Sequence, residues 1–382
     1  MLKVSRLLSL AAALLALAAA PVFAADGVTL PRNMAWSAFD VGSAGYNQAV
    51  AIGKALQDTY GTSLRVVPAG NDVSRLAPVR DGRIPFACTG NDVFFASEGV
   101  STFATPAWGP QPIRILGSSS ADNGYALATA KDADIRTMAD VKGKRVAFIL
   151  GAPALQTNIK SFLAFGGLTL DDVVVVEAAG YGAAFQMMID GLVDATTSLT
   201  TGGIVEQAAA SPRGLHWVPM PFADTEGWKR LSAIAPHQAQ RTATLGATID
   251  PANPLECMGA PYPILVAYAS QDPDLVYNLT RAVATQVPAF AAAEPTASGW
   301  APEKQLFMWV VPFADAAIKY WKEAGLWTDE HQRHNDALVR RQQVLADAWG
   351  SISDKKGDDF ETRWLKVRAD ALRAAGLPVY FE

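Results

Sequence analysis

Three groups of residues in the 382-residue sequence have types and spacings suited to chemistry. The first is GSAGYNQAVAIGKAL, Gly42 to Leu56, where small and hydroxyl-bearing residues open an amphipathic helical pattern. A helix start leaves backbone N–H groups unpaired, so such a mouth can receive a carboxylate or another acceptor. The second is HQRH, which sets His331 and His334 three apart, as in a two-histidine metal pair. Beside Asp329 and Glu330 the same pattern is that of a solvated helix face, and neither a metal nor another cofactor is expected. The third is Ser118-Ser119-Ser120, which has no histidine nearby in sequence; a catalytic triad would have to assemble from distant segments. No GxSxG elbow, HExxH pair or CxxC occurs. The chemistry favoured is binding.

The elements that must position these residues form a repeat. One unit runs from GSAGYNQAVAIGKAL through RVVPAG to RDGRIPFACTGND; the other runs from GAPALQTNIKSFLAF through VVVVEAAG to IDGLVDATTSLTTGG. Gly42 and Gly151 open the helices, Asp81-Gly82 and Asp190-Gly191 precede the later strands, and both pairs are offset by 109 positions. At that offset Thr89 stands opposite Ser198 and Asn91 opposite Thr200. Strands are expected at 63–70, 83–90, 144–152, 172–180 and 192–199, apolar enough to be covered on both faces as in parallel sheets. In the first helix Ala49, Ile52, Gly53, Leu56 and Tyr60 make a buried stripe, with Gln48, Lys54, Gln57 and Asp58 largely opposite; Ile159, Phe162 and Leu163 do the same in the second. The expected fold class is α/β with two similar lobes whose strand ends and helix mouths face each other across a cleft. A strand within 259–268 returns the chain to the first lobe, and helices follow at 272–287, 305–324, 330–349 and 358–375.

The first 24 residues, with Lys3 and Arg6, an apolar run from Leu7 to Ala20, and small residues at Val22 and Ala24, read as a cleaved secretory signal peptide. The product is expected in the periplasm. The formal charge of −5 becomes −7 without Lys3 and Arg6, and the basic residues are dispersed, so nucleic acid is not an expected partner. Lobe I is expected at 25–118 and 262–382 and lobe II at 119–261, with hinge crossings near Ile115–Ser119 and Pro261–Val266. Cys88 and Cys257 are either one bridge or two buried thiols.

The chain resembles the TAXI family of extracytoplasmic solute receptors of TRAP transporters. The family's GTGSTGGTYYPIGGAL opening is matched by FDVGSAGYNQAVAIGKAL, its PTGGSVEN turn by PAGNDVSR, and its ADLAFVQSD strand end by IPFACTGND. IKSLADLKGKRVSVGAPGSGT is close to IRTMADVKGKRVAFILGAPALQT, and PFHPGAIKYYKEAGLW to PFADAAIKYWKEAGLW. The resemblance implies a type II periplasmic binding fold with extended C-terminal helices, closing on a small solute and delivering it to a membrane permease driven by an ion gradient. It implies no enzymatic activity. The chain departs from the family at Ala154-Leu155-Gln156-Thr157 in place of GSGT, at Asn47 and Gln48 in place of Tyr and Pro, and at FADA in place of FHPG.

The expected ligand cradle begins with Ser43, Ala44, Gly45 and Tyr46, where Ser43 could equally be an ordinary helix cap. Thr89, Gly90, Asn91 and Asp92 follow a strand end, with Asp92 also a candidate cap. From the second unit come Gly151, Ala152, Gln156 and Thr157, then Ser198, Thr200 and Thr201. Asn71 and Tyr181, each just after an Ala-Gly turn, serve either binding or the turn. Arg75 and Arg114 are the nearest arginines, neither at an obvious mouth. The expected function is a monomeric receptor for a small solute, expected to be a carboxylate-bearing metabolite held by helix N-termini in place of an arginine, with a neutral or aromatic ligand as the alternative. The alternatives are a secreted α/β enzyme of similar shape and a periplasmic sensory module.

Overall fold

The computed structural model describes residues 27–381, so the leader expected at 1–24 lies outside the described residues. The first half-unit is β1 (Asn33–Ala38), α1 (Ala44–Tyr60), β2 (Ser63–Pro68), α2 (Asp72–Arg80), β3 (Phe86–Thr89) and α3 (Asp92–Glu98), followed by β4 (Ile113–Ser118). The chain then enters a second sheet through β5 (Tyr125–Ala130), β6 (Arg145–Ile149), α4 (Pro153–Phe165), β7 (Val174–Ala178), α5 (Tyr181–Ile189) and β8 (Ala195–Leu199). After α6 (Gly203–Ala210), β9 (Leu215–Val218), α7 (Thr225–Ile234), β10 (Ala239–Ala243) and β11 (Leu255–Gly259), β12 (Ile264–Tyr268) rejoins the first sheet. The first sheet has the order β2-β1-β3-β12-β4 and the second β10-β11-β5-β8-β6-β7, with β9 also pairing β5. Each sheet has its own hydrophobic core, which makes two lobes of an α/β fold.

The repeat is built into the backbone. α2 and α5 both begin 109 positions apart and end on Asp81 and Asp190. Gly42 and Gly151 have φ of +83° and +66°, the left-handed region that a side chain resists, and each turns the chain into its helix. The two helix tips are exchanged: Ala44 of α1 packs in the core of the second lobe, and Ala154 of α4 in the core of the first.

Several expectations need correction. β2 and β7 are edge strands, so their Val-rich runs are partly exposed instead of covered on both faces; Val174 and Val175 are open to solvent. Both sheets are mixed, since β12 runs antiparallel to β3 and β4, and β5 antiparallel to β8. Gln48 is fully buried, accepting from Trp300 Nε1 at 2.8 Å and donating to Thr296 Oγ1 at 3.0 Å. The helix expected over 305–324 is confined to α10 (Asp315–Glu323), because Pro312 cannot supply the N–H a helix needs. Cys88 and Cys257 are separate buried free thiols, one in each sheet.

The C-terminal helices brace the first lobe. α8 (Pro273–Thr285) and α9 (Val287–Ala293) pack beside α1, and α11 (Asp329–Gly350) and α12 (Phe360–Ala374) clamp α3. The clamp is a buried ion cluster in which Arg341 holds Glu98 through Nε and Nη2, at 2.6 and 2.8 Å, while Arg368 Nη2 reaches the same carboxylate. No described helix is long and apolar enough to cross a membrane.

Candidate functional site

The edges at which both half-units end their strands and begin their helices face each other and enclose a cavity of about 50 Å³. At roughly 10–15 Å³ per water-sized sphere this holds a few waters or the head of a small solute. The first lobe supplies Phe39, Asp40 and Ser43 after β1, Ala69 to Asp72 and Arg75 around the start of α2, and Gly90 to Asp92 after β3. The second supplies Ala154, Leu155 and Asn158 of α4, Tyr181 of α5, and Ser198 and Leu199 of β8. Tyr125 and Tyr262 enter from beside the two crossings between the sheets.

A buried ionic lattice forms the floor. Asp72 and Arg75 share a face of α2 three residues apart, and Arg75 Nη2 donates to Asp72 Oδ1 at 2.6 Å and lies 3.1 Å from Asp92 Oδ2. Arg75 Nε donates to Thr89 Oγ1 at 2.9 Å, Thr89 Oγ1 donates to Asp92 Oδ2, and the Gly90 N–H donates to Asp92 Oδ1 at 2.8 Å. The guanidinium also stacks 4.4 Å over the Phe39 ring. Burial and the nearby Asp92 charge raise the Asp72 carboxyl above its ordinary value despite Arg75. Burial likewise raises the phenols of Tyr125, Tyr181 and Tyr262, which therefore stand as neutral hydroxyls near neutral pH.

The lobes are closed on one another by hydrogen bonds. Val73 N donates to Gly151 O at 3.2 Å, Tyr181 N to Gly70 O at 3.1 Å, and Ile204 N to Gly42 O at 3.3 Å. Two carboxylates of the first lobe meet N–H groups at helix starts of the second: Asp72 Oδ2 accepts from Ala154 N at 3.0 Å, and Asp40 Oδ2 from Gly182 N at 3.2 Å. Ser43 caps α1 by accepting from Tyr46 N, and Gly45 N donates to Tyr262 Oη at 3.2 Å. The helix mouths thus already hold protein acceptors. Tyr181 Oη lies 2.6 Å from Ser198 Oγ, whose proton goes to Leu199 O, so the tyrosine is the donor.

Of the residues expected in the cradle, Ser43, Asn71, Gly90, Asn91, Asp92, Tyr181 and Ser198 come together around the cavity. Thr89 lies one hydrogen bond behind it and Gly45 behind Tyr262. The others do not line it. Ala44 is packed in the second core, and Tyr46 against the first. Gly151 faces the first lobe through its carbonyl, while Ala152 is completely buried beneath the loop. Gln156 folds back to donate to Ile149 O, and Thr157 is buried in α4. Thr200 Oγ1 donates to Leu245 O, and Thr201 Oγ1 accepts from Asn123 Nδ2. Of the two nearest arginines, neither at an obvious mouth in the sequence, Arg75 lines the cavity because its long side chain reaches back from the first turn of α2; Arg114 instead bonds Gln342 and Ile113 O.

Sequence reasoning missed Phe39, Asp40, Asp72, Asn158, Tyr125 and Tyr262. The Asp72–Arg75 spacing was a legible helical ion-pair signal. Tyr125 and Tyr262 had none, since they meet only because the chain crosses twice between sheets.

Away from the cavity, His331 Nδ1 accepts from Thr328 N as a helix cap, and His334 Nε2 contacts Trp309 O, so the HQRH pair serves local structure. Ser118 and Ser119 are buried without a side-chain partner, and Ser120 accepts from Arg241.

A family profile described as the NMT1-like family matches residues 40–325. Among solved structures, the alkanesulfonate-binding protein SsuA of Xanthomonas axonopodis pv. citri, bound to MOPS, is 15% identical with a TM-score of 0.46, covering 92% of this chain and 96% of its own. PhnD1 of Prochlorococcus marinus in complex with methylphosphonate is 11% identical with a TM-score of 0.45, covering 71% and 92%. An ancestral arginine-binding protein bound to arginine is 14% identical with a TM-score of 0.41, covering 71% and 99%.

Proposed function

The chain belongs to the NMT1-like family, and from that premise we propose that it is an extracytoplasmic receptor that captures a small solute between its lobes and hands it to a membrane permease. The single observation that carries this reading is the closed cavity itself. Two related half-units present strand ends and helix starts to one enclosed space, and main-chain hydrogen bonds across the cleft form only when the lobes close. Ligand capture then shifts the population from open to closed lobes, and the permease reads the closed form.

The lobes we assign are 25–118 with 262–382, and 119–261, rotating about the segments between β4 and β5 and between β11 and β12. The TAXI-like segments, especially IRTMADVKGKRVAFILGAPALQT, support a TRAP-type permease as partner, with the leader at 1–24 directing export to the periplasm and the receptor acting as a monomer. A carboxylate-bearing solute is the second reading, favoured by Arg75, whose Nη1 makes no hydrogen bond among the described residues. Against an enzyme stands the pairing of Asp72 and Asp92 with Arg75, with none of the four histidines on the cavity wall.

Native mass spectrometry of the exported protein tests the reading. A retained small molecule that leaves unaltered after incubation supports a receptor; turnover of that molecule would favour the enzyme. Co-purification with a permease, as opposed to a sensor kinase, separates transport from sensing.

A further inference from the structure

Resting on the receptor reading, we infer that the solute is an organic cation, whose positively charged nitrogen sits between the cavity's carboxylates and its aromatic wall. The charged groups on the wall are Asp40, Asp72, Asp92 and Arg75, which sum to −2 with all three carboxyls ionised and to −1 with the raised Asp72 carboxyl protonated, so the wall is net negative in either state. Arg75 does not redress this, because Asp72 and Asp92 both contact it and one carboxylate alone would cancel its charge. The helix starts that would draw an anion are occupied by the Asp72 and Asp40 carboxylates. An added anion would meet uncompensated negative charge in a water-poor space, whereas a cation would neutralise it.

A second observation points the same way. Asn91 is only 3% exposed and lines the cavity, yet its side chain makes no hydrogen bond, and Oδ1 is a wholly buried acceptor without a donor. A buried unpaired acceptor costs about as much as a lost hydrogen bond, a cost that a donor group on the solute, N–H or O–H, would relieve. The rest of the wall suits the body of such a molecule. Phe39, Tyr262 and Tyr125 pack in series, the Tyr262 ring tilted against Phe39 at 4.7 Å and edge-on to Tyr125 at 5.9 Å between centroids, and Phe39 already carries the Arg75 guanidinium on its face. Carboxylates behind aromatic faces attract ammonium and guanidinium groups by charge and ring quadrupole together.

The test is calorimetric titration of the mature wild-type protein, freed of retained solute by unfolding and refolding, with agmatine, butylamine, butyrate and glutarate. Agmatine or butylamine should bind, and butyrate and glutarate should bind at least tenfold more weakly. Asp40→Asn should weaken agmatine binding about ten- to a hundredfold, the loss expected for a charged hydrogen bond, with its melting temperature reporting whether the fold is intact. Tighter binding of butyrate or glutarate overturns the inference. So does a neutral or anionic retained solute when neither amine binds, although that result leaves the receptor reading standing. If no solute is retained and none of the four binds, both readings fall.

Discussion

His237 shows how one side chain can set the protein's response to acid. It is buried against Phe94, Phe95 and Phe381, and neither ring nitrogen has a partner. Burial therefore pushes its pKa down to about 3, from an ordinary 6.5. Between those values the unfolded chain takes up a proton that the native state refuses, so stability falls as pH drops below about 6.5. Asp72 acts with the opposite sign: its raised carboxyl binds a proton more tightly when folded, and that contribution is lost as pH rises. His237→Phe should remove the acid-side loss and add about 1–3 kcal/mol at pH 7 by eliminating two unpaired polar atoms. Thermal melts at pH 5 and pH 7.5 would check it: the wild type should lose more on acidification than the variant, and equal losses would assign the effect elsewhere.

At the scale of elements, the α3 clamp and the first turn of α1 make separable predictions. Glu98 is buried between Arg341 and Arg368, and those arginines also hold the carbonyls of Pro378 and Tyr380. Removing the carboxylate leaves two buried cations facing each other, so Glu98→Ala should cost about 3–5 kcal/mol in denaturant unfolding. Early proteolysis of the C-terminal helices should accompany it. Gly45 answers to a different constraint: a Cβ there would overlap the Phe39 ring and come within 2.7 Å of Tyr262 Oη. Both rings line the cavity, so Gly45→Ala should cost about 1–3 kcal/mol by overpacking and also displace the aromatic wall. Solute affinity should fall with it, whereas the Glu98 variant, while folded, should keep its affinity.

The molecule as a whole depends on two lobes reaching backbone contact. Gly70 and Gly180 meet across the cleft, where a Cβ on Gly180 would stand 3.2 Å from Gly70 O. The Gly180 backbone is extended and tolerates any residue, so a larger side chain acts on closure and not on local strain. Gly180→Leu should hold the lobes apart. Small-angle scattering should then show a larger radius of gyration for the variant, together with lost solute binding and a nearly unchanged secondary structure. An unchanged radius with full binding would mean that these loops need not touch.

Much of this was legible in the chain. The offset of 109 positions announced two related units, and glycines at 42 and 151 marked the turns where only a residue free of a Cβ enters the left-handed region easily. Helical periodicity marked the α1 stripe, because burial along one face repeats every 3.6 residues. Local pattern failed where partners come from far away. Gln48 looked like a surface residue until Trp300 and Thr296 reached it. The helix tips looked open to an anion until Asp40 and Asp72 crossed the cleft to fill them. Sequence by itself determined the repeat, the turns and the residue types at each strand end, since those follow from short-range sterics and periodicity. Only the tertiary structure decided which charges share one small enclosed space, and therefore the sign of the field that a solute meets, because electrostatic energy depends on distance in space and not on separation along the chain.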